Sequence, residues 1–443
     1  MKRFSTVVSV VVVTLGLLMA AGAPVAAQSK AASGEKPQAT DIGVTATTIR
    51  IAVVADVDSA LAPGLFQGTV DAVNGAAKYI NAQGGIGGRK LQVDFIDSKL
   101  NANEARNAII TACSQDFALV GTAALFLSNV DDEVNCKDMK GAAIGLPDLG
   151  SVVFGFPQAC SPVSYPVNVS NLMCSTKDEN PQTYQGNQGD ATYFLQKFGK
   201  LHGAYVLPND TKDVYRGIAV LKEIAVQAGI KADRSSTATG RSPQSAYTPI
   251  VQQMKNDNSN WGFSGGNYSQ MIQFRQEAQL QGLTDPKIVW SCTTACYDRK
   301  FLEAGSSAVE GTYIPMAFLP FNEAKTNKSL ANFVKFVGKD KVTGLGVYGY
   351  SAALALQQVL NDAVAKGGVN AVTRAALLDG LKKLTNFNAG GMIGTTNVGG
   401  HVTSSCGAIV QVKNGKFVRV TPKKQGTFDC NPKNHVTVKV DLR

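Results

Sequence analysis

From residue 49 the chain reads IRIAVVADV, an almost unbroken apolar run of strand length, and soon afterwards QGTVDAVNGAAKYINAQGG, where apolar side chains return every three or four positions. The first pattern suits a strand buried on both faces. In the second, Val70, Val73, Ala77 and Ile80 share one stripe of a helix, and Gly84-Gly85 stops it, because glycine enters the left-handed region without a Cβ clash. LQVDFID follows as a second strand. Strand, helix and strand in direct succession predict a parallel sheet wound by right-handed crossovers.

The unit recurs along the chain. FALVGT (117–122) and AAIGLP (142–147) read as short strands, each preceded by a helical segment bearing a cysteine. A passage rich in Pro, Ser and Asn from Ser161 to Gln188 then separates this first unit from a second. There a helix from Gly189 to Phe198, strand GAYVLP, a helix from Lys212 to Ala228 and a strand near 232–236 follow one another. A helix containing Ile250, Val251 and Met254, strand WGFSGG, a helix from Tyr268 to Gln281 and strand KIVWSC continue the alternation. Helical periodicity returns at Tyr350 to Val364, through Ala353, Leu356, Leu360 and Ala363, and again at Ala371 to Leu384. Near the end, IVQVKNGKFVRV places Asn-Gly between alternating apolar residues, a strong hairpin signal. The expected fold is α/β, with two doubly wound Rossmann-like lobes joined by several hinge crossovers. Residues 48–168 with 319–384 form one lobe, and 185–317 with 390–443 the other. A ligand cleft belongs between them, beyond the carboxyl ends of the strands, where loops and helix N-termini present free N–H groups.

The N-terminus alters where this fold is expected to work. Lys2 and Arg3, an apolar run from Val7 to Met19 and small residues ending Val25-Ala26-Ala27 read as a secretory signal cleaved after Ala27. Residues 28–47, mostly Ala, Ser, Gln, Lys and Pro, read as a flexible leader. The product is expected in the periplasm, the cell envelope or the extracellular space. The formal net charge of +10 falls to +8 with Lys2 and Arg3 removed, and the remaining basic residues are scattered, which argues against nucleic acid as a partner. Export also bears on the eight cysteines, since an even count in an oxidising compartment predicts disulfides. Pairing between neighbours closes only local loops: Cys113 with Cys136, Cys160 with Cys174, Cys292 with Cys296, and Cys406 with Cys430. The C-x3-C spacing of Cys292 and Cys296 has no second pair or histidine near it, so it fits zinc poorly.

The segments YINAQGGIGGRKLQVDFID, NEARNAIITAC, FALVGT and GGNYSQMIQFRQEAQLQGL resemble those of type I periplasmic binding proteins, in particular the branched-chain amino-acid or amide-binding group that serves ABC importers. The resemblance runs from Ile49 to Val420. It implies a monomer without cofactor, holding a small molecule between its lobes and passing it to a membrane permease. It places Tyr268 at the family's cleft tyrosine in G-G-x-Y, Tyr215 beside another cleft aromatic position, and the head-group contacts on Thr122, Ala123, Ala124, Leu125, Phe126, Pro147 and Asp148. Two departures stand out. Leu125 and Phe126 occupy a loop where amino-acid binders carry small hydroxyl residues. The loop after KIVW, which brings the family's carboxylate to the ligand ammonium, here reads Ser291-Cys292-Thr293-Thr294. A zwitterion buried without a counter-charge incurs several kcal/mol of desolvation, so the expected ligand is less charged, with Thr293 and Thr294 as hydrogen-bond partners.

Catalytic readings are weaker. GFSGG (262–266) satisfies G-x-S-x-G between a strand and a helix, which makes Ser264, with an acid and His401 or His435, the alternative of an exported hydrolase. No HGGG-type oxyanion loop precedes it. GGIGGRK (84–90) follows a helix and precedes a strand, the reverse of a dinucleotide fingerprint. Asp56 and Asp58 end the first strand and read as cationic-ligand partners or as loop acids and helix caps. A third reading keeps the fold but makes the chain a ligand-sensing module of a receptor.

Overall fold

The computed structural model describes Met1 and residues 35–59, 63–176 and 181–442, so the expected secretory signal lies outside the described residues. The first sheet consists of β1 (Thr48–Ala55), β2 (Lys90–Asp97), β3 (Ala118–Val120) and β4 (Asp148–Leu149), in the order β2-β1-β3-β4 and parallel throughout. β1 is the run IRIAVVA, and its residues from Ile51 to Ala55 are wholly buried. The helix Gln67–Ala82 turns Val70, Val73, Ala77 and Ile80 inward, as its stripe predicts, and Gly84 and Gly85 end it at φ 96° and 78°.

β5 (Gln182–Asn187) opens the second half. Then come β6 (His202–Pro208), β7 (Lys231–Ala238), β8 (Trp261–Ser264), β9 (Val289–Cys292), β10 (Tyr313–Met316), β11 (Ala408–Lys413), β12 (Lys416–Thr421) and β13 (His435–Val440). The second sheet is ordered β12-β11-β10-β9-β8-β6-β7, parallel from β7 to β10 and antiparallel beyond. In both sheets the order of strands therefore reverses beside the first strand, between β1 and β3 and between β6 and β8, which is where open α/β sheets leave a crevice. The β11–β12 hairpin turns on Asn414 and Gly415 at φ 51° and 65°, the primed geometry that Asn-Gly favours.

The chain passes between sheets three times: from β4 to β5, from β10 to the helices Lys328–Val337 and Gly346–Gly367, and from the helix Arg374–Lys382 to β11. The two helices after β10 pack on Gln67–Ala82 of the first unit. The chain thus builds two doubly wound lobes with multiple crossovers, as expected from the sequence.

Three local expectations change. AAIGLP is not a strand: a turn closed on Asp138 and a left-handed Gly145 (φ 88°) interrupt it, and pairing with β3 begins only at Asp148. The segment expected to be a flexible leader is held from residue 35 onward. Thr40 Oγ1 donates to Val372 O, and Asp41 accepts from Arg374 N at 2.7 Å. The wholly buried Arg89 donates from Nη2 to Gln38 O at 2.8 Å and from Nε to Thr45 O at 2.8 Å. In this way the GGIGGRK loop anchors the N-terminal segment. β5 and β13, which periodicity does not reveal, pair antiparallel across about 250 residues of sequence. All four neighbour disulfides are formed.

Candidate ligand-binding cleft

Loops leave the carboxyl ends of β1, β3 and β4 on one lobe and of β6, β8 and β9 on the other. Two buried carboxylates organise the first set. Asp56 accepts from Ser98 Oγ at 2.6 Å, Leu100 N at 2.8 Å and Leu125 N at 2.8 Å, which ties the loops after β1, β2 and β3 together. Asp148 accepts from Thr122 Oγ1 at 2.6 Å, Gln158 Nε2 at 2.9 Å and Ser164 Oγ at 3.4 Å, and burial raises its pKa. Three internal donors thus engage each acid. Thr122, Ala123, Ala124 and Pro147 are buried with them, and Ala123 bonds the end of β1 through its backbone. Leu125 and Phe126 remain half-buried, and Asp58 is exposed.

On the second lobe Tyr268 is the first residue of the helix Tyr268–Leu280, whose N-cap Asn267 accepts from Gln270 N at 3.2 Å. Burial raises the pKa of its phenol, and the negative charge of Asp298 adds to the effect. Asp298 caps the helix Arg299–Gly305 through Lys300 N at 2.8 Å. It lies on the same loop as Thr293 and Thr294, four residues further along, so a carboxylate does stand near Tyr268. Sequence position alone hid it, since the acid follows the disulfide Cys292–Cys296 that folds the loop back. Tyr215 is half-buried in the helix Lys212–Ala228, within an apolar cluster shared with Val153 and Phe156 of the loop after β4.

The lobes meet at that loop. Gly217 lies against the ring of Phe154, so closely that a Cβ there would stand 2.6 Å from Phe154 Cδ1. Gly155 faces Asp213 in the same way, with Oδ2 3.3 Å from the position of an added Cβ. Val57, Leu125, Phe154 and Tyr268 are half-buried against one continuous apolar cluster that draws on both lobes. Leu125 and Tyr268 are thus each half-buried against that cluster. Thr122 and Asp148 are turned into the first lobe, while Thr293 and Thr294 line a cavity of about 500 Å³ running beneath β8 and β9 toward the crossovers. Phe154, Asp213 and Gly217 were not read from the sequence, because only the approach of the two lobes gives them a role.

Nothing in this arrangement resembles a nucleophile site. Ser264 Oγ is buried and has no hydrogen-bond partner. His401 packs against Tyr165 and His435 bonds Gln185, so neither serves Ser264 as a base. The G-x-S-x-G match is the tight turn from β8 into the helix Tyr268–Leu280. Among the described residues no group of three His, Cys, Asp or Glu side chains forms a metal site, and no helix is long and apolar enough to cross a membrane.

Comparison with known proteins agrees with this architecture. A fatty acid ABC transporter substrate-binding protein from Thermomonospora curvata superposes with a TM-score of 0.65 at 16% identity, covering 87% of this chain and 97% of its own. A leucine-binding protein, LivK, from Thermotoga maritima MSB8 gives 0.64 at 16%, covering 84% and 98%. LivJ from Streptococcus pneumoniae, solved with isoleucine, gives 0.62 at 15%, covering 84% and 100%. No curated protein matches the sequence. Identities this low speak for the fold alone, but the sequence pattern of one family, the periplasmic binding proteins, matches residues 48–416. With two doubly wound lobes, three crossovers and a match over most of its length, this chain belongs to the periplasmic binding protein family.

Proposed function

We propose that the protein is the extracytoplasmic substrate-binding component of an ABC importer, acting as a monomer that closes around a small organic solute and presents it to a membrane permease. The observation that carries this reading is the approach of the loop after β4 to the helix Lys212–Ala228, Phe154 against Gly217, which joins the two doubly wound units beside their strand-order reversals. Each lobe supplies half the wall, so a bridging ligand gains contacts in the closed state that it lacks in the open one. Residues 48–168 with 319–384 and residues 185–317 with 390–443 are the two moving bodies. The similar proteins named for fatty acid, leucine and isoleucine bracket the ligand between an apolar chain and a zwitterion.

The apolar side chains of Leu125 and Phe154 and the internal hydrogen bonds that engage Asp56 and Asp148 favour the apolar side of that range: an amide, an aromatic acid, or a terpenoid or sterol fragment. Tyr268 offers ring area and a hydroxyl at little entropic cost. Tyr268→Ala is expected to weaken binding of the native ligand, recovered by native mass spectrometry from the host, by about tenfold or more. Unchanged affinity in a folded variant would refute the cleft assignment. Titration calorimetry with leucine, isoleucine and valine is expected to show no micromolar binding. Tight binding that Asp298→Asn abolishes would instead assign Asp298 as the ammonium partner and return the ligand to the amino acids.

A further inference from the structure

The cavity beneath β8 and β9 reaches from Thr293 and Thr294, on the loop after β9, to Trp261 at the start of β8 and Asp190 on the helix Gly189–Phe198. All three crossovers reach it, through Asn168, Ala317 and Ile393. Its volume of about 500 Å³ is that of a small-molecule site. One wall is aromatic. The Phe194 ring stands 5.4 Å from Trp261, and Tyr205 lies 5.6 Å from Phe263 and 6.2 Å from Trp261.

Two of these side chains carry polar atoms that the protein leaves unused. Tyr205 and Trp261 are only 1% and 3% exposed, yet Tyr205 Oη and Trp261 Nε1 have no hydrogen-bond partner. Trp261 donates weakly toward the phenol, enough to lower its pKa against the larger rise from burial, in a contact too loose to satisfy either group. Thr403 Oγ1, also on the cavity wall, is buried and unpaired as well. Leaving such groups unmade costs about 1–3 kcal/mol each, so three converging on one cavity mark a place where a guest supplies the partners.

A carboxylate, that of Asp190, lies beside them and accepts from its own backbone N–H and that of Ala191 at the helix start. Asp190 lies on the cavity wall one helical turn before Phe194, on the same face of the helix Gly189–Phe198. Among the described residues no cation pairs with it. Lys197, two turns along, donates instead to the phenols of Tyr193 and Tyr313. Burial pushes the Asp190 carboxyl up to about 6, which still leaves it mainly ionised at neutral pH.

We propose that this hinge cavity is a second ligand site for a small aromatic amine whose ammonium meets Asp190, whose ring lies on Trp261 and Phe263, and whose oxygen pairs with Tyr205 Oη and Trp261 Nε1. An aromatic face next to an anion is the pairing that desolvates an ammonium at least cost. The reading does not depend on what the cleft binds.

Tyramine carries all three features and is the probe. Calorimetry on the full exported chain is expected to give micromolar binding, weaker by about tenfold or more for phenol, which lacks the ammonium, and for Asp190→Asn. Absence of tyramine binding overturns the proposal. So does equal affinity for phenol, and so does binding that survives Asp190→Asn but is lost in Tyr268→Ala, which would move the amine into the cleft. The phenol comparison needs no variant, so the test stands even where Asp190→Asn fails to fold.

Discussion

Glu133 is buried behind β3 and β4 with neither carboxylate oxygen hydrogen-bonded, and both its burial and the charge of Asp148 raise its pKa well above the usual carboxylate range. A carboxyl group whose pKa rises on folding binds an extra proton in the folded state, so its stabilisation is complete below the unfolded value, about 4.3, and is lost as pH rises through the folded one. Glu133→Gln keeps the shape and removes the charge. The variant is expected to melt several degrees above the parent at pH 7 and together with it near pH 4, as followed by circular dichroism. A lower melting temperature at pH 7 would mean that Glu133 has a partner that requires its charge. The buried charge of Arg374, by contrast, is well served: it donates to the carbonyls of Phe117, Lys137 and Cys113 and to Cys136 Sγ, which binds the helix Arg374–Lys382 to the disulfide Cys113–Cys136 and the start of β3. None of this was visible in the sequence, where Arg374 is one basic residue among many and its acceptors lie more than 200 positions away.

At the scale of elements, what the sequence made legible follows from how each element is stabilised. The helices Gln67–Ala82 and Lys212–Ala228 and strands β1, β2 and β6 announce themselves because one face, or both, is continuously apolar, and that pattern is local. β5 and β13 read QTYQGN and HVTVKV, mixed in polarity and stabilised by each other across the fold, so neither has a local signal. β10 is only four residues and contains Pro315. The same distinction governs the cleft. Loops beyond strand ends were legible from topology, whereas Asp298 and Phe154 acquire their places through a disulfide-folded loop and a contact between lobes. Cys160–Cys174 bridges the passage from β4 to β5, the first of the crossovers. Replacing both cysteines by serine is expected to cost about 3 kcal/mol on the chain-entropy account of a loop this size, measurable as a shift of the denaturant midpoint. An unchanged midpoint would show that the crossover is already ordered in the unfolded ensemble.

For the whole molecule, our proposal makes the bare backbone at Gly217 the limit on how near the two lobes come, since the Phe154 ring takes the space a side chain would fill. One methyl group there works as a doorstop. Gly217→Ala is expected to hold the aperture wider, raising the radius of gyration in ligand-saturated X-ray scattering while leaving the ligand-free value unchanged. Affinity should fall even though residue 217 need never touch the solute, because closure rather than contact is what the methyl obstructs. Identical scattering and affinity in the variant would show that Phe154 swings aside freely and that the stop lies elsewhere. If the doorstop holds, glycine at this position fixes the stroke of the machine: the permease would meet a loaded protein whose two faces are spaced by the thickness of a single aromatic ring.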